Sequence, residues 1–157
     1  MKEIDSAKFE KAKVYAEEYY SKIGEIYCPY FQEKIAFNAM GLEHLKFKGR
    51  NRARSPLDQY VRLRLISLAS EIISKSHTLQ GLLERKNFER EKTQGKWQST
   101  LRQISYYEFV AVIKRTRVRV IVKQVEAGRK YFWSIIPFWK MDSIGNRKLH
   151  NGNPEED

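Results

Sequence analysis

The residues of this chain that could do chemistry crowd into one stretch. Between positions 44 and 64 stand His44, Lys46, Lys48, Arg50, Arg52, Arg54, Arg62 and Arg64, and the only acid among them is Asp58. A histidine titrates near neutrality and can take or give a proton, while guanidinium and ammonium groups hold phosphate. Metal-independent cleavage of RNA asks for this combination. One group takes the 2′-hydroxyl proton, fixed cations neutralise the charge that develops on phosphorus, and another group protonates the departing 5′-oxygen. We therefore expect His44 as general acid or base, with Arg50 and Arg119 on the phosphate and Lys48 and Lys123 in support. Ser134 would hydrogen-bond the phosphate or orient the histidine, and Glu108 is an alternative base. Lys46, Lys48, Arg52, Arg54 and Arg62 are the expected nucleic-acid contacts. Each has a plainer reading: His44 as a helix-surface histidine, the basic run as a solvated surface that binds RNA without cutting it, and Ser134 as an inert strand serine.

Composition narrows the partners. The 157 residues carry a net charge of +11 and a pI near 9.7, the electrostatic footprint of nucleic-acid binding. Anionic membrane is the other obvious partner for such a charge, but no window approaches the roughly 18 apolar residues of a spanning helix, and the first residues lack the apolar stretch of a secretion signal. One cysteine, Cys28, allows no internal disulfide, in keeping with a cytoplasmic protein. Next to Pro29 it reads as a small buried hydrophobe. One Cys and three scattered His also exclude a Cys/His zinc cluster. No metal and no cofactor is expected. His77 and His150 carry no expected role.

These side chains need elements to position them. Residues 5–23 have helical spacing, with Asp5 or Ser6 as cap and Gly24 as stop. Residues 26–38 read as extended, though Pro29 argues against a central strand. A short helix over Ala39–Leu45 would carry His44, and Gly49 would break it. Ser55-Pro56 opens the strongest helix, which runs to about Lys75, with Asp58 favoured near its positive end. Residues 84–102 are charged and weakly patterned, either an exposed hairpin or a loop. A β meander follows over residues 104–114, 117–125 and 131–138, with turns near Arg115-Thr116 and at 126–129, where Gly128 would supply the unusual φ. Residues 1–142 read as one α+β domain, its N-terminal helices packed on one face of a C-terminal antiparallel meander of three to four strands. Residues 143–157 read as a polar, disordered tail.

Alternation along strands then assigns faces. Pairing Ile113 with Val118, Ala111 with Val120 and Phe109 with Val122 makes one face apolar. Pairing Val125 with Lys130 continues it, with Val122 meeting Trp133 and Val120 meeting Ile135. The other face would carry Glu108, Arg119, Ile121, Lys123, Phe132, Ser134 and Ile136, a cationic surface suited to RNA.

This order of elements, with GLEHL and KFKGR, the helix RLRLISLASEII and the strands YYEFVAVIK, RVRVIVKQV and YFWSIIPF, resembles the barnase, EndoU, colicin and RelE-like superfamily of small ribonucleases. The likeness is to its phage- and toxin-associated branch and covers roughly residues 35–140. It implies helices on one sheet face and an active site on the other. The barnase-like pattern has a histidine acid near the last strand and the EndoU-like pattern uses two histidines; this chain offers one well-placed histidine, His44. The function expected is a metal-independent endoribonuclease of toxin type, acting on RNA, tRNA included, with an acidic antitoxin or immunity protein as partner. The alternatives are a non-catalytic RNA- or DNA-binding module using the same basic residues, and a protein-interaction adaptor.

Overall fold

A computed structural model describes residues 4–49, 52–113 and 115–137, together with Pro154, Glu155 and Asp157. The described residues form α1 (Ser6–Ile23), β1 (Glu25–Cys28), β2 (Glu33–Ala36), α2 (Ala39–Lys46), α3 (Pro56–Arg64), α4 (Ile66–Lys75), β3 (Gly81–Thr93), β4 (Lys96–Ile113), β5 (Thr116–Val125) and β6 (Tyr131–Pro137). The class is α+β, with the helices in the N-terminal half and most of the sheet in the C-terminal half. The sheet is larger than the three to four strands expected. It has six, in the order β1-β2-β6-β5-β4-β3. β3 to β6 are an antiparallel meander; the β1–β2 hairpin joins it through one parallel pair, Ala36 with Tyr131. No described helix is long and apolar enough to cross a membrane.

Local chemistry explains the element ends. The Asp5 carboxylate accepts from the Ala7 amide and caps α1, and Gly24 closes it at φ 64°. The Ser55 hydroxyl accepts from the Asp58 amide, with Pro56 at the first helical position of α3. The single helix expected from Ser55 to Lys75 is two. They break at Leu65, whose amide bonds the Arg62 carbonyl at 3.1 Å in one tight turn. Residues 84–102 are a hairpin, the middle of β3 and β4. Its turn sits at Gln94 and Gly95, with φ 51° and 78°. In the turn after β5 the positive φ falls on Glu126, not Gly128. Gly128 is required for space instead, because a Cβ there would lie 2.8 Å from the Val125 carbonyl oxygen.

The core fills the helix side of the sheet. Leu63, Ile66, Ala69, Ile72 and Ile73 pack on Phe109, Val118, Val120, Val122, Phe132 and Ile135. The β4–β5 register is two residues tighter than expected, pairing Ala111 with Val118 and Phe109 with Val120. A slip of two preserves the parity of faces, so the apolar face is the expected one. Between β5 and β6 the expected register holds from Val118–Pro137 to Ile121–Ser134; a bulge then pairs Val122 with Phe132 in place of Trp133. Phe132 therefore turns into the core, stacked on Phe37 at 4.9 Å, and not onto the second face.

α2 packs at the free edge of β6, beyond the point where β2 stops pairing. Gly41 permits this: a Cβ would overlap the Phe132 carbonyl oxygen and stand 2.7 Å from the Tyr20 hydroxyl. From that edge α2 sends Leu45 into the core and His44 to the opposite side, onto Trp133. Gly41→Ala should lower stability by about 1–3 kcal/mol, as overpacking against backbone does. Urea unfolding of the variant measures this, and an unchanged midpoint would contradict so close a seat.

Candidate active site

The second face of the sheet has its own buried cluster, Ala36, Ile104, Tyr106, Ile121, Tyr131, Trp133 and Ile136. Cross-strand pairing sets Tyr106, Lys123 and Tyr131 in one row and Glu108, Ile121 and Ser134 in the next. The bulge adds Trp133 to that face beside Ser134. Bulges commonly re-aim side chains next to functional sites.

Helices complete the pocket. His44 stacks on Trp133 with ring centroids 4.0 Å apart. Arg54 enters from the segment between α2 and α3, its Nε–H donating to the His44 carbonyl at 2.9 Å. Arg62, on α3, donates from Nη1 to the Ser134 hydroxyl at 2.9 Å. Lys123 lies 4.0 Å from the Trp133 ring centroid and pairs with Glu89 of β3 at 2.9 Å. These side chains are deeply buried: Arg54 is 2%, Arg62 1%, Lys123 1% and His44 4% exposed. The carboxylate of Asp58 holds both arginines, Arg62 Nε at 2.7 Å and Arg54 Nη1 at 3.4 Å.

Of the tail expected to be disordered, the described residues lie on this pocket. Asp157 brings its main-chain oxygen to 2.8 Å from His44 Nε2 and 3.2 Å from Ser134 Oγ. Glu155 takes Lys123 at 3.0 Å and the Tyr106 hydroxyl, and the Pro154 carbonyl accepts from Trp133 Nε1 at 2.8 Å.

The electrostatics follow from crowding cations in a dry place. Burial first, then Arg54, Arg62 and Lys123, drive the His44 pKa down to about 2 against the raising effect of Asp157. The imidazole is therefore neutral. Its Nε2 has two neighbours, the Asp157 oxygen at 2.8 Å and Arg54 Nη2 at 3.1 Å. The oxygen only accepts and the guanidinium only donates, so one nitrogen cannot serve both. The shorter contact favours Nε2–H donating to Asp157. Arg54 is lowered to about 10 by burial and by Arg62, with Asp58 opposing. Burial alone would raise Asp58; Arg62 and Arg54 outweigh it and hold the carboxyl below its usual range. Burial also raises the Tyr106 and Tyr131 hydroxyls. The Tyr131 hydroxyl is buried without a hydrogen-bond partner among the described residues.

Three of the five expected catalytic residues, His44, Lys123 and Ser134, meet in this pocket. Arg119 sits farther along the same face, bound to Glu108 at 2.5 Å. Arg50 lies outside the described residues. Arg54 and Arg62, expected as nucleic-acid contacts, are the buried cations at the centre. Lys46 pairs with Glu17 of α1, while Lys48 and Arg52 are exposed. Trp133, Tyr106, Tyr131, Glu89 and the acidic segment were not singled out. The Asp58–Arg62 spacing of four was a usable signal, since residues four apart share a helix face, whereas Arg54 precedes the Ser55 cap and reaches Asp58 from outside α3. Cys28 is buried, and its thiol pKa is raised by that burial. Among the described residues no group of three or more His, Cys, Asp or Glu is placed to hold a metal ion.

The depressed His44 pKa links stability to pH. The unfolded imidazole takes up a proton below about 6.5, and the folded one stays neutral down to about 2. Stability from this group is thus fully present above pH 6.5 and is lost as the pH falls, by at most about 1.4 kcal/mol per pH unit. His44→Gln keeps a donor and removes the titration. Between pH 7 and 5 the wild type should lose about 1–2 kcal/mol more than this variant in urea unfolding; equal losses would mean that His44 protonates freely in the fold.

No family model, no curated protein and no solved structure matches this chain, so its function must be argued from the pocket itself.

Proposed function

We propose that this chain is a metal-independent endoribonuclease that cleaves RNA by attack of the 2′-hydroxyl on the adjacent phosphate. The observation that carries the reading is the convergence of His44, Arg54, Arg62, Lys123 and Ser134 on one aromatic-walled spot. The resemblance to small ribonucleases supports it, because that likeness implies a site on the sheet face away from the helical core.

His44 is the base, accepting the 2′-hydroxyl proton as the 2′-oxygen attacks phosphorus. Burial and the three cations that hold its pKa at about 2 weaken it for this role, and the negative charge of an entering phosphate offsets the cations. Arg54 and Arg62 face the charge that builds on the phosphorane, where fixed donors act most strongly. The P–O5′ bond breaks, the product carries a 2′,3′-cyclic phosphate, and the leaving oxygen takes a proton from the Lys123 ammonium. Ser134 positions the phosphate, and Trp133 and Tyr106 give a base a surface to stack on. Exposed Lys48 and Arg52 extend the positive surface for the flanking strand. A net charge of +11 also suits an acidic antitoxin or immunity protein as partner.

The second reading, a module that binds RNA or DNA without cutting it, is favoured by one observation, the 4% exposure of His44. Total RNA and a tRNA pool incubated with the protein in EDTA separate the two. Cleavage yielding 2′,3′-cyclic phosphate ends is expected, falling roughly 10²–10⁴-fold in His44→Ala, the range for loss of a general base. Intact RNA with salt-sensitive binding would establish the module instead. In either case Lys48→Ala should weaken binding and reduce the salt slope by about 1.

A further inference from the structure

His44 and Ser134 are 4% and 0% exposed, so no substrate atom reaches them while the pocket stands as described. What lies on both is Asp157, through one main-chain oxygen. Two positions earlier the Glu155 carboxylate lies on Lys123 and Tyr106, and Pro154 is held by the indole N–H of Trp133. The groups held are therefore acceptor oxygens, and the groups holding them are those assigned above to phosphate and base. The segment Glu155-Glu156-Asp157 is also a run of acids in a chain whose net charge is +11. A cavity of about 220 Å³ flanks it, lined by Arg119, Tyr106, Ile121, Pro154 and Asp157 among others. The buried Tyr131 hydroxyl, without a hydrogen-bond partner among the described residues, belongs to the same cluster.

We propose that this pocket is a two-point site for a chain carrying anions at successive positions, and that Pro154, Glu155 and Asp157 are its tethered occupant, displaced when a single-stranded polynucleotide binds. One point is His44, Ser134 and the two arginines; the other is Lys123 with Tyr106; Trp133 stands between as the stacking wall. The inference rests on the phosphate-site reading above. The segment competes from within the molecule, so the apparent affinity for the polynucleotide is reduced by the fraction of molecules whose pocket is clear.

Binding of a short fluorescein-labelled oligothymidylate tests this without cleavage, since the probe has no 2′-hydroxyl. The full chain is compared by anisotropy with a chain ending at residue 153, with Glu155→Gln, and with Glu10→Gln/Glu18→Gln/Glu84→Gln, which removes equal charge elsewhere. The shortened chain should bind about tenfold tighter or more. Glu155→Gln should fall between, the distant triple variant should shift affinity far less, and a peptide of residues 151–157 added in trans should compete with the probe. Equal or weaker binding by the shortened chain, folded by near-ultraviolet circular dichroism, overturns the proposal, as does an equal gain in the triple variant. If the shortened chain does not fold, Glu155→Gln decides: tighter binding upholds the displacement and unchanged or weaker binding ends it. RNA cleavage separates this from the underlying reading. Equal cleavage by full and shortened chains sinks the tethered occupant and leaves the ribonuclease standing. Tight probe binding by the shortened chain with RNA left intact does the reverse.

Discussion

Two guanidinium groups and an ammonium group lie almost wholly out of water on one side of this sheet, and the rest of the site depends on how that charge is met. Removing one partner from such a buried pair costs about 3–5 kcal/mol, because the other is left uncompensated. Asp58 is the carboxylate that makes Arg54 and Arg62 tolerable together. It lies in the first turn of α3, where the helix dipole and the Ser55 cap already favour it. The local chemistry that starts α3 therefore also fixes both arginines. Lys123 is met from the other direction, by Glu89 of the long hairpin and by Glu155. His44, held at Nε2 by the Asp157 main-chain oxygen, stays neutral beside three cations.

Charge can be gathered here only because the sheet offers a second buried face. Two features create it at the same place. The bulge opposite Ile121 and Val122 puts Trp133 and Ser134 on that side and returns Phe132 to the core. At the same strand, β2 stops pairing after Ala36, and α2 fits its Gly41 against the exposed Phe132 carbonyl. A short helix in that position serves both faces, Leu45 inward and His44 onto the indole. Without the bulge the strand would have sent Trp133 into the helix-side core, and His44 would have no ring to stack on.

What was legible in the sequence follows from this. Caps and stops such as Asp5, Gly24 and Ser55-Pro56 are local signals, and they mark both ends of α1 and the start of α3 within a residue; the break at Leu65 carries no such signal. Strand faces were legible through parity, which survives a two-residue slip; hence Arg119 and Lys123 were placed on the correct side despite a wrong register. The bulge was not legible, since YFWSIIP alternates no better with it than without it. The β3–β4 arm was ambiguous because the half-buried face of β3 is polar, Arg85, Asn87, Glu89 and Glu91, while Phe88 lies on its exposed face, leaving no apolar side for a pattern to declare. Gln94-Gly95 was its one local mark. Arg54 and Arg62 were read as surface cations because burial of arginine is decided by a distant partner: Ser134 is 72 positions from Arg62. The contacts of Glu155 and Asp157 were invisible for the same reason.

The dryness of the pocket also sets what it can do. In water a cation loses little by exchanging one anion for another; in a low-dielectric site the same exchange is felt several times more strongly. Arg54, Arg62 and Lys123 are oriented before any ligand arrives, each held by a carboxylate or hydroxyl with little room to turn away. Such fixed donors need no reorganisation as charge moves to a new atom, which is the property electrostatic catalysis requires. The same arrangement keeps the imidazole neutral until an anion comes close. An entering phosphate would bring the negative charge that His44 lacks, raising its proton affinity when a base is needed. Burial is the larger cause of the histidine's depressed pKa and the neighbouring cations are the second, so a ligand that adds negative charge beside them acts on the second cause alone.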